Sequence, residues 1–378
     1  MHPFPSAMMQ GTASLSAPFK LYAWGANGSG QLGLGNTTTY TSPKQVGSLL
    51  WNTVAAALNH TVAIRNNGTL WAWGANGQGQ LGDGTTVSKS SPIQIGALSN
   101  WAFVFASSTN SFAVKNDGTL WAWGKYTTLG DGTTVSKSSP VQIGALTDWI
   151  GGSGRSMGDA ILFRKSNGTL WAWGSNGAGQ LGQGDTTTRY SPTQIGALTD
   201  WASIGAAGSV GFAVKSNGTL WSWGRNSVGQ LGLGTSGPGT YRSSPVQVGA
   251  LTTWAFVTQG PFNSSSHAWA TTTAGGLWAW GYNGSGQLGD GTTTSRSSPV
   301  QIGALTNWNP NAPPPGLVDL PLAGSTYSSG AVKSDRTLWA SGNGGFTPTS
   351  VNSPVQIGSA NTWCGIAAGG SHVLGLLK

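Results

Sequence analysis

A seven-bladed, all-β propeller is the fold this sequence predicts, and three observations predict it. The pentapeptide LWAWG at residues 70–74 returns as LYAWG at Leu21, LWAWG at Leu120, Leu170 and Leu277, LWSWG at Leu220 and LWASG at Leu338, making seven copies. Successive copies begin 49, 50, 50, 50, 57 and 61 residues apart, a period at which each unit buries its faces against its neighbours. Each unit carries four short β-type segments and no helical period, the pattern of a propeller blade. The ends of the chain are complementary. The first copy lacks the strands that precede LWAWG elsewhere, whereas the chain finishes on such strands, WCGIAAGGSHVLGLLK, with no LWAWG after them. Residues 363–378 are therefore expected to pair with residues 21–25 and close the ring, removing sheet edges that would otherwise template aggregation.

In chain order, residues 1–19 are rich in Pro, Ser, Ala and Met and follow no strand or helix period, which reads as an arm or docking tail. Residues 20–378 form the propeller. The unit is clearest over residues 111–149, SFAVKNDGTLWAWGKYTTLGDGTTVSKSSPVQIGALTDW. Its FAVK and LWAW segments flank Asn116, Asp117, Gly118 and Thr119, and Asn or Asp before Gly supplies the positive φ angles of a tight hairpin. A glycine-rich loop follows, then Ser-Pro and VQIG; proline lacks a ladder donor and suits the start of a strand. A further strand follows each A-L-T-x-W segment, as at residues 101–105. Both faces of an inner strand are buried in stacked blades, so LWAWG is expected to be an inner strand with Trp71 and Trp73 both in the core. A buried aromatic hides about 150–250 Å², a gross gain of roughly 4–6 kcal/mol at about 25 cal/mol per Å².

Composition narrows the function. Charged residues make up only 7% of the chain, and the acids are ten aspartates with no glutamate, so paired-carboxylate chemistry is hard to assemble. The formal charge of +8 would suit a polyanion if the cations clustered. They do not. Arg164-Lys165 is the only adjacent basic pair, and Lys115, Lys165, Lys215 and Lys333 recur at one repeat position, which reads as a scattered, solvated rim rather than a nucleic-acid groove. The single Cys364 excludes an internal disulfide and is expected to be a small buried residue of a repeated strand. Residues 1–20 have neither a basic n-region nor a continuous apolar h-region, so no secretory signal is recognised. No apolar run reaches the length needed to span a bilayer.

The loop after the Trp-Gly strand end reads G-x-N-G-x-G-Q-L-G-x-G at residues 25–35, 74–84, 174–184 and 281–291. With His60-Thr-Val-Ala-Ile and the matching His267 and His372, it resembles the repeat of the regulator of chromosome condensation family over residues 20–378. The resemblance implies a seven-bladed propeller. It leaves the activity open, because the founding member exchanges nucleotide on a small GTPase while related propellers serve as inhibitors, scaffolds and adhesion modules. Two copies depart from the pattern: the third loop is shortened to KYTTLG at residues 125–130, and the seventh becomes GNGGFTPTSVNSP.

Several chemical motifs dissolve in the repeat. G-x-G-x-x-G matches at residues 28–33, 77–82, 177–182 and 284–289 resemble a dinucleotide fingerprint, but each runs into a Thr-rich loop and a strand rather than opening a helix. The aspartates mostly share repeat positions, leaving Asp159 and Asp319 as the acids a lyase or hydrolase would have to use. Converging metal ligands are missing, since His60, His267 and His372 belong to different blades. No catalytic residue, metal or cofactor is therefore expected. Binding is expected where copies differ, since loops on a rigid scaffold carry recognition: Phe4 in the arm, Lys125 and Tyr126, Pro238, Tyr241 and Arg242 in a lengthened loop, Phe262, Pro314 in the insertion PNAPPPGLVDLPLAG, and Phe346. Two functions remain open. One is a noncatalytic structural or adhesive component of a phage or other virion surface, held to other structural proteins through residues 1–19 and touching a surface glycan or receptor. The alternative is a protein-binding regulator, an enzyme inhibitor or a GTPase-directed exchange factor. The first favours a virion or extracellular location, the second the cytoplasm.

Overall fold

The computed structural model describes residues 18–153, 160–207, 209–260, 266–308 and 322–378. It contains five four-stranded antiparallel sheets and one seven-stranded sheet. The larger sheet runs Trp363–Ala368, His372–Leu377, Phe19–Gly25, Tyr40–Ala56, His60–Arg65, Leu70–Gly74 and Lys89–Gln94. It is two blades joined by the 17-residue strand Tyr40–Ala56, whose beginning is the last strand of blade 1 and whose end is the first strand of blade 2. The total is seven blades. The predicted closure is present: Leu21 pairs with Leu376, Tyr22 with Gly375 and Gly25 with His372.

The order of strands within a blade differs from expectation. The first strand of each blade, such as Trp101–Ala106, touches the corresponding strand of the next blade around the whole circle, so these strands line the axis. LWAWG is the third strand, two places out. Trp73 is fully buried between blades, but Trp71, pointing to the opposite face, is only half-buried. Period-two alternation separates the two rings onto opposite faces, and the third strand is covered more completely on one of them.

The hairpin between second and third strands is as read from sequence, with one refinement. Lys115 N–H donates to Thr119 O at 3.0 Å and Gly118 N–H to Lys115 O at 2.9 Å, a three-residue loop in which only Gly118 takes a positive φ, of 76°. Asp117 acts through its side chain, its Oδ1 accepting from Thr119 N at 3.0 Å and from Thr119 Oγ1 at 2.6 Å. That pattern is a type I turn closed by a left-handed glycine.

Blades are tied by the third-strand indole. Trp123 Nε1 donates at 2.9 Å to the carbonyl of Gln80 in the preceding blade's loop, and Trp73, Trp223 and Trp280 donate likewise to Gln31, Gln180 and Gln230. Gly82 lies flat on this indole with φ 81°, and a Cβ there would stand 2.7 Å from Trp123 Nε1. The third glycine of three of the four apparent dinucleotide fingerprints, Gly33, Gly82 and Gly182, is thus required by an indole, while Gly289 of the fourth faces Ser341. Gly77, the first, meets nothing within 4 Å.

Three histidines, His60, His267 and His372, are buried at the starts of second strands. His60 Nε2 meets Ser111 Oγ of the next blade at 2.9 Å, and Ser111 Oγ donates to Gln80 O at 2.7 Å. Burial, assisted by the neighbouring His372, lowers the His60 pKa to about 3, and burial lowers that of His372 to about 4.

Two outcomes follow from this packing. Gly82→Ala should cost about 2–4 kcal/mol, from a left-handed φ and overlap with the indole, while Gly77→Ala should stay within about 0.5 kcal/mol of wild type; urea unfolding of both variants checks this. The His60 and His372 rings are neutral when folded, whereas the unfolded chain takes up protons below about pH 6.5. Stability is full above that pH and should fall on acidification from about 6.5 toward 4, by up to about 1.4 kcal/mol per pH unit for each ring. His60→Asn, which copies Asn110 of the adjacent blade, should flatten the melting temperature against pH over this range.

Candidate functional site

Antiparallel strands send the glycine-rich loops and the first-to-second strand turns to one face of the disc. The hairpin turns of the Asn-Asp-Gly type go to the other.

On the loop face, buried Asn76 organises each loop from within. Its Oδ1 accepts from Leu81 N at 2.9 Å, while its Nδ2 donates to Asp83 Oδ1, Thr85 O and Val87 O. Asn27, Asn176, Asn226 and Asn283 are buried alike. The loop aspartate then meets a cation that opens the fourth strand: Asp83 with Lys89 at 3.9 Å, Asp131 with Lys137 at 3.7 Å, Asp185 with Arg189 and Asp290 with Arg296 at 2.7 Å. Burial raises the Asp83 and Asp290 carboxyls, but hydrogen bonds from Thr85 and Asn76, and from Thr292 and Arg296, outweigh it and hold both below the usual carboxylate range. These acids are neutralised loop ties, ill suited to proton transfer at neutral pH.

Blade 5 breaks the pattern. Leu233 stands where the loops of blades 2, 3 and 6 carry Asp83, Asp131 and Asp290, and the loop is lengthened through a 3-10 turn at Pro238–Thr240. Arg242, which pairs in register with Gly224, donates from Nη1 to Tyr241 O at 3.0 Å. Arg225, next along the chain from Gly224, donates from Nε to Ser227 Oγ at 3.3 Å. Neither guanidinium has a carboxylate partner among the described residues. Pro238 is exposed, with Tyr241 and Arg242 half-buried beside it.

Blade 3 departs in the other direction. Its short loop becomes a 3-10 turn at Tyr126–Thr128, and Thr128 O replaces the usual glutamine carbonyl in accepting Trp173 Nε1 at 2.8 Å. Asn110 Nδ2 donates to Lys125 O, tying the turn to the second strand. The turn leaves Tyr126 37% exposed, and Lys125 Nζ has no ion pair among the described residues. The structure thus places Lys125, Tyr126, Pro238, Tyr241 and Arg242 on one face of the disc, on two separate blades, and adds Arg225, which sequence reading missed.

Phe346 is a correction. It is 1% exposed, stands edge-on to Trp24 at 6.4 Å and fills the space left by Gly330. It does for blade 1 what the loop leucine Leu81 does under Trp123, namely cover the next blade's indole from inside. It is core, with no surface to offer a partner. Phe4, Phe262 and Pro314 lie outside the described residues, as do residues 1–17 of the arm and 309–321 of the insertion.

On the hairpin-turn face, the recurring lysines are also a correction. Lys115, Lys165, Lys215 and Lys333 are 9%, 4%, 9% and 5% exposed, each held at the corner of two crossed indoles. Lys115 Nζ lies 3.8 Å from the Trp121 ring centre and 5.1 Å from that of Trp101; Lys333 Nζ lies 3.6 Å from Trp339 and 4.9 Å from Trp308. Asp148 and Asp200 add ion pairs to Lys165 at 3.2 Å and Lys215 at 3.3 Å. The ring faces attract the ammonium groups, and the aliphatic stems pack on the indoles. A lysine recurring in register with a core tryptophan was the available signal. Cys364 is half-buried rather than buried, with Sγ 4.0 Å from Arg336 Nη1 and its thiol pushed up by burial.

Among the described residues, no three His, Cys or acidic side chains converge as metal ligands, and no helix is long and apolar enough to cross a membrane. A search of curated protein sequences finds no match. Among solved structures, the chain is similar to Prp20p from Saccharomyces cerevisiae, described with its binding properties to Gsp1p and histones, at 19% identity over 96% of this chain and 93% of that one, with a TM-score of 0.78. Yeast RCC1 (Prp20) bound by Kap60 gives 19% identity over 100% and 96% of the chains, TM-score 0.79. Human WBSCR16 gives 18% over 95% and 99%, TM-score 0.78. The regulator of chromosome condensation (RCC1) repeat matches residues 20–64, 67–114, 167–214, 217–259 and 274–309, and a second form of that repeat matches residues 52–80. With seven blades, five of whose junctions carry the same indole-to-loop tie, and most of the chain matched by the repeat, the protein belongs to the regulator of chromosome condensation (RCC1) repeat family.

Proposed function

We propose that this propeller is a noncatalytic regulator that docks a protein partner on its glycine-loop face, through the irregular loops of blades 3 and 5. The observation that carries the reading is the pair of uncompensated guanidiniums, Arg225 and Arg242, beside Pro238 and Tyr241 on a loop whose counterparts neutralise their cations. Arginine and tyrosine supply interface anchors with little ordering cost, and unpaired arginine fits acidic side chains on a partner. The related propellers support it, since Prp20p was described through its binding to Gsp1p and histones and yeast RCC1 in a complex with Kap60. They favour a regulator over the virion component to which composition pointed, and a cytoplasmic or nuclear setting over a particle surface. The loop acids, tied to Thr, Asn, Lys and Arg, offer no free base for catalysis.

A stoichiometric complex should be recovered on the immobilised protein from extract of its native source. Replacing Tyr126, Tyr241 and Arg242 together by alanine should weaken it at least tenfold, about 1.4 kcal/mol, and raising the salt concentration should weaken the wild-type complex as well. Retention equal to wild type by the triple variant, still folded by circular dichroism, would remove this face from consideration.

A further inference from the structure

Blade 6 keeps the two-indole corner but lacks the cation that fills it in blades 2, 3, 4, 5 and 7, where it is Arg65 in blade 2 and a lysine in the other four. The position is fixed by register: Trp101 pairs with Lys115, Trp149 with Lys165, Trp201 with Lys215 and Trp308 with Lys333, whereas Trp254 pairs with Thr272. The Trp254 and Trp278 rings nevertheless cross at 71° with centres 5.8 Å apart. The four lysine-bearing corners cross at 74–86° and 5.8–6.4 Å. A second truncation lies beside the first. Gly276 stands where blades 2, 3, 4, 5 and 7 place threonine, whose hydroxyl accepts from the outer indole, as Thr119 does from Trp121 at 3.0 Å. Thr272 Oγ1 is turned away to accept Gly276 N–H at 3.1 Å. The corner therefore retains its aromatic geometry after losing both side chains that occupy and brace it in blades 3, 4, 5 and 7. Trp278 is half-buried and offers the outer side of the corner, Trp254 is 3% exposed, and Thr273 and Ala274 in the adjoining hairpin turn are exposed.

We propose that the Trp254–Trp278 corner binds an ammonium group from outside the chain, and that a trimethylammonium group suits it best. The protein itself supplies the precedent for the chemistry, since four of its own ammonium groups rest against the same ring pair. The preference for a methylated cation follows from what blade 6 lacks. Blades 4 and 5 add Asp148 and Asp200 to the corner, and the turn carboxylate Asp335 of blade 7 opposes the burial that lowers the Lys333 pKa. The corresponding positions of blade 6 are Thr253 and Ala274. A primary ammonium would leave water with three N–H donors and no carboxylate to meet them. A quaternary ammonium has no N–H to satisfy and keeps its attraction to the ring faces. This site lies on the face opposite the proposed docking loops and does not depend on that reading.

The test is titration of the whole protein with tetramethylammonium chloride, followed by calorimetry and by the indole N–H resonance of Trp278. Saturable binding with a Kd of about 1–10 mM is expected, at least fivefold weaker for the neutral carbon analogue 3,3-dimethylbutanol. Thr272→Lys, which restores the internal occupant, should abolish binding. Trp278→Ala should do the same if the lysine variant does not fold. Non-saturable shifts, equal affinity for the neutral analogue, or unchanged binding by a folded variant would each overturn the proposal. Parallel titrations with choline and with N-acetyl-trimethyl-lysine methylamide separate the two sources of such a group: tighter binding of the second points to a modified protein segment, and of the first to a free small amine.

Discussion

The bond from Trp123 Nε1 to Gln80 O joins residues of successive blades, 43 positions apart in sequence, and most of the architecture can be derived from it. A buried indole N–H without an acceptor costs about 1–3 kcal/mol, so the loop of one blade must bring a carbonyl to the ring of the next. Gly82 lets the backbone lie on that ring, and Leu81 fills the space beneath it. Asn76 and Gln80 hold the loop in the one shape that does both, through Leu81 N and Gln78 N. A motif with the spacing of a nucleotide fingerprint is, in this fold, a clasp between blades.

The clasp is weakest at the seam between blades 7 and 1. There Phe346 replaces the leucine in covering Trp24, but Trp24 Nε1 finds no acceptor among the described residues. This boundary is held instead by packing of Phe346 and Val332 against Trp24 and Ile366 and by Thr326 Oγ1, which donates to Gly370 O at 2.6 Å, while within blade 1 His372–Leu377 pairs with Phe19–Gly25. Between blades 6 and 7, Ser341 stands in for the tryptophan and its Oγ donates to Gln287 O at 3.3 Å. The ring thus closes by strand pairing between the two ends of the chain, next to the seam where its repeated side-chain tie runs out.

Repetition also shapes how function is read. A residue present in every unit is accounted for by packing, so the proposed sites rest on exceptions: the unpaired arginines of blade 5, the shortened loop of blade 3 and the cation missing from the two-indole corner of blade 6. Loop-face cations and the hairpin-face aromatic corner are separate sites, since the antiparallel blades send them to opposite sides of the disc.

Much of the fold was legible in the sequence because its causes are local or periodic. LWAWG recurs at a blade's length, Asn-Asp-Gly turns a hairpin, and the surplus strands at one end match the deficit at the other. The candidate site was legible only in part: the unusual loops could be seen, but Phe346 proved to be core and Arg225 was missed. The sequence by itself determined how many blades there are, where they begin and how they close. Only the tertiary structure decided that LWAWG lies two strands from the axis, that four lysines sit against indoles rather than in solvent, and which cations and rings lack partners. The physical reason is that burial and pairing depend on side chains meeting across a blade or between neighbouring blades, and those meetings leave no spacing rule along the chain.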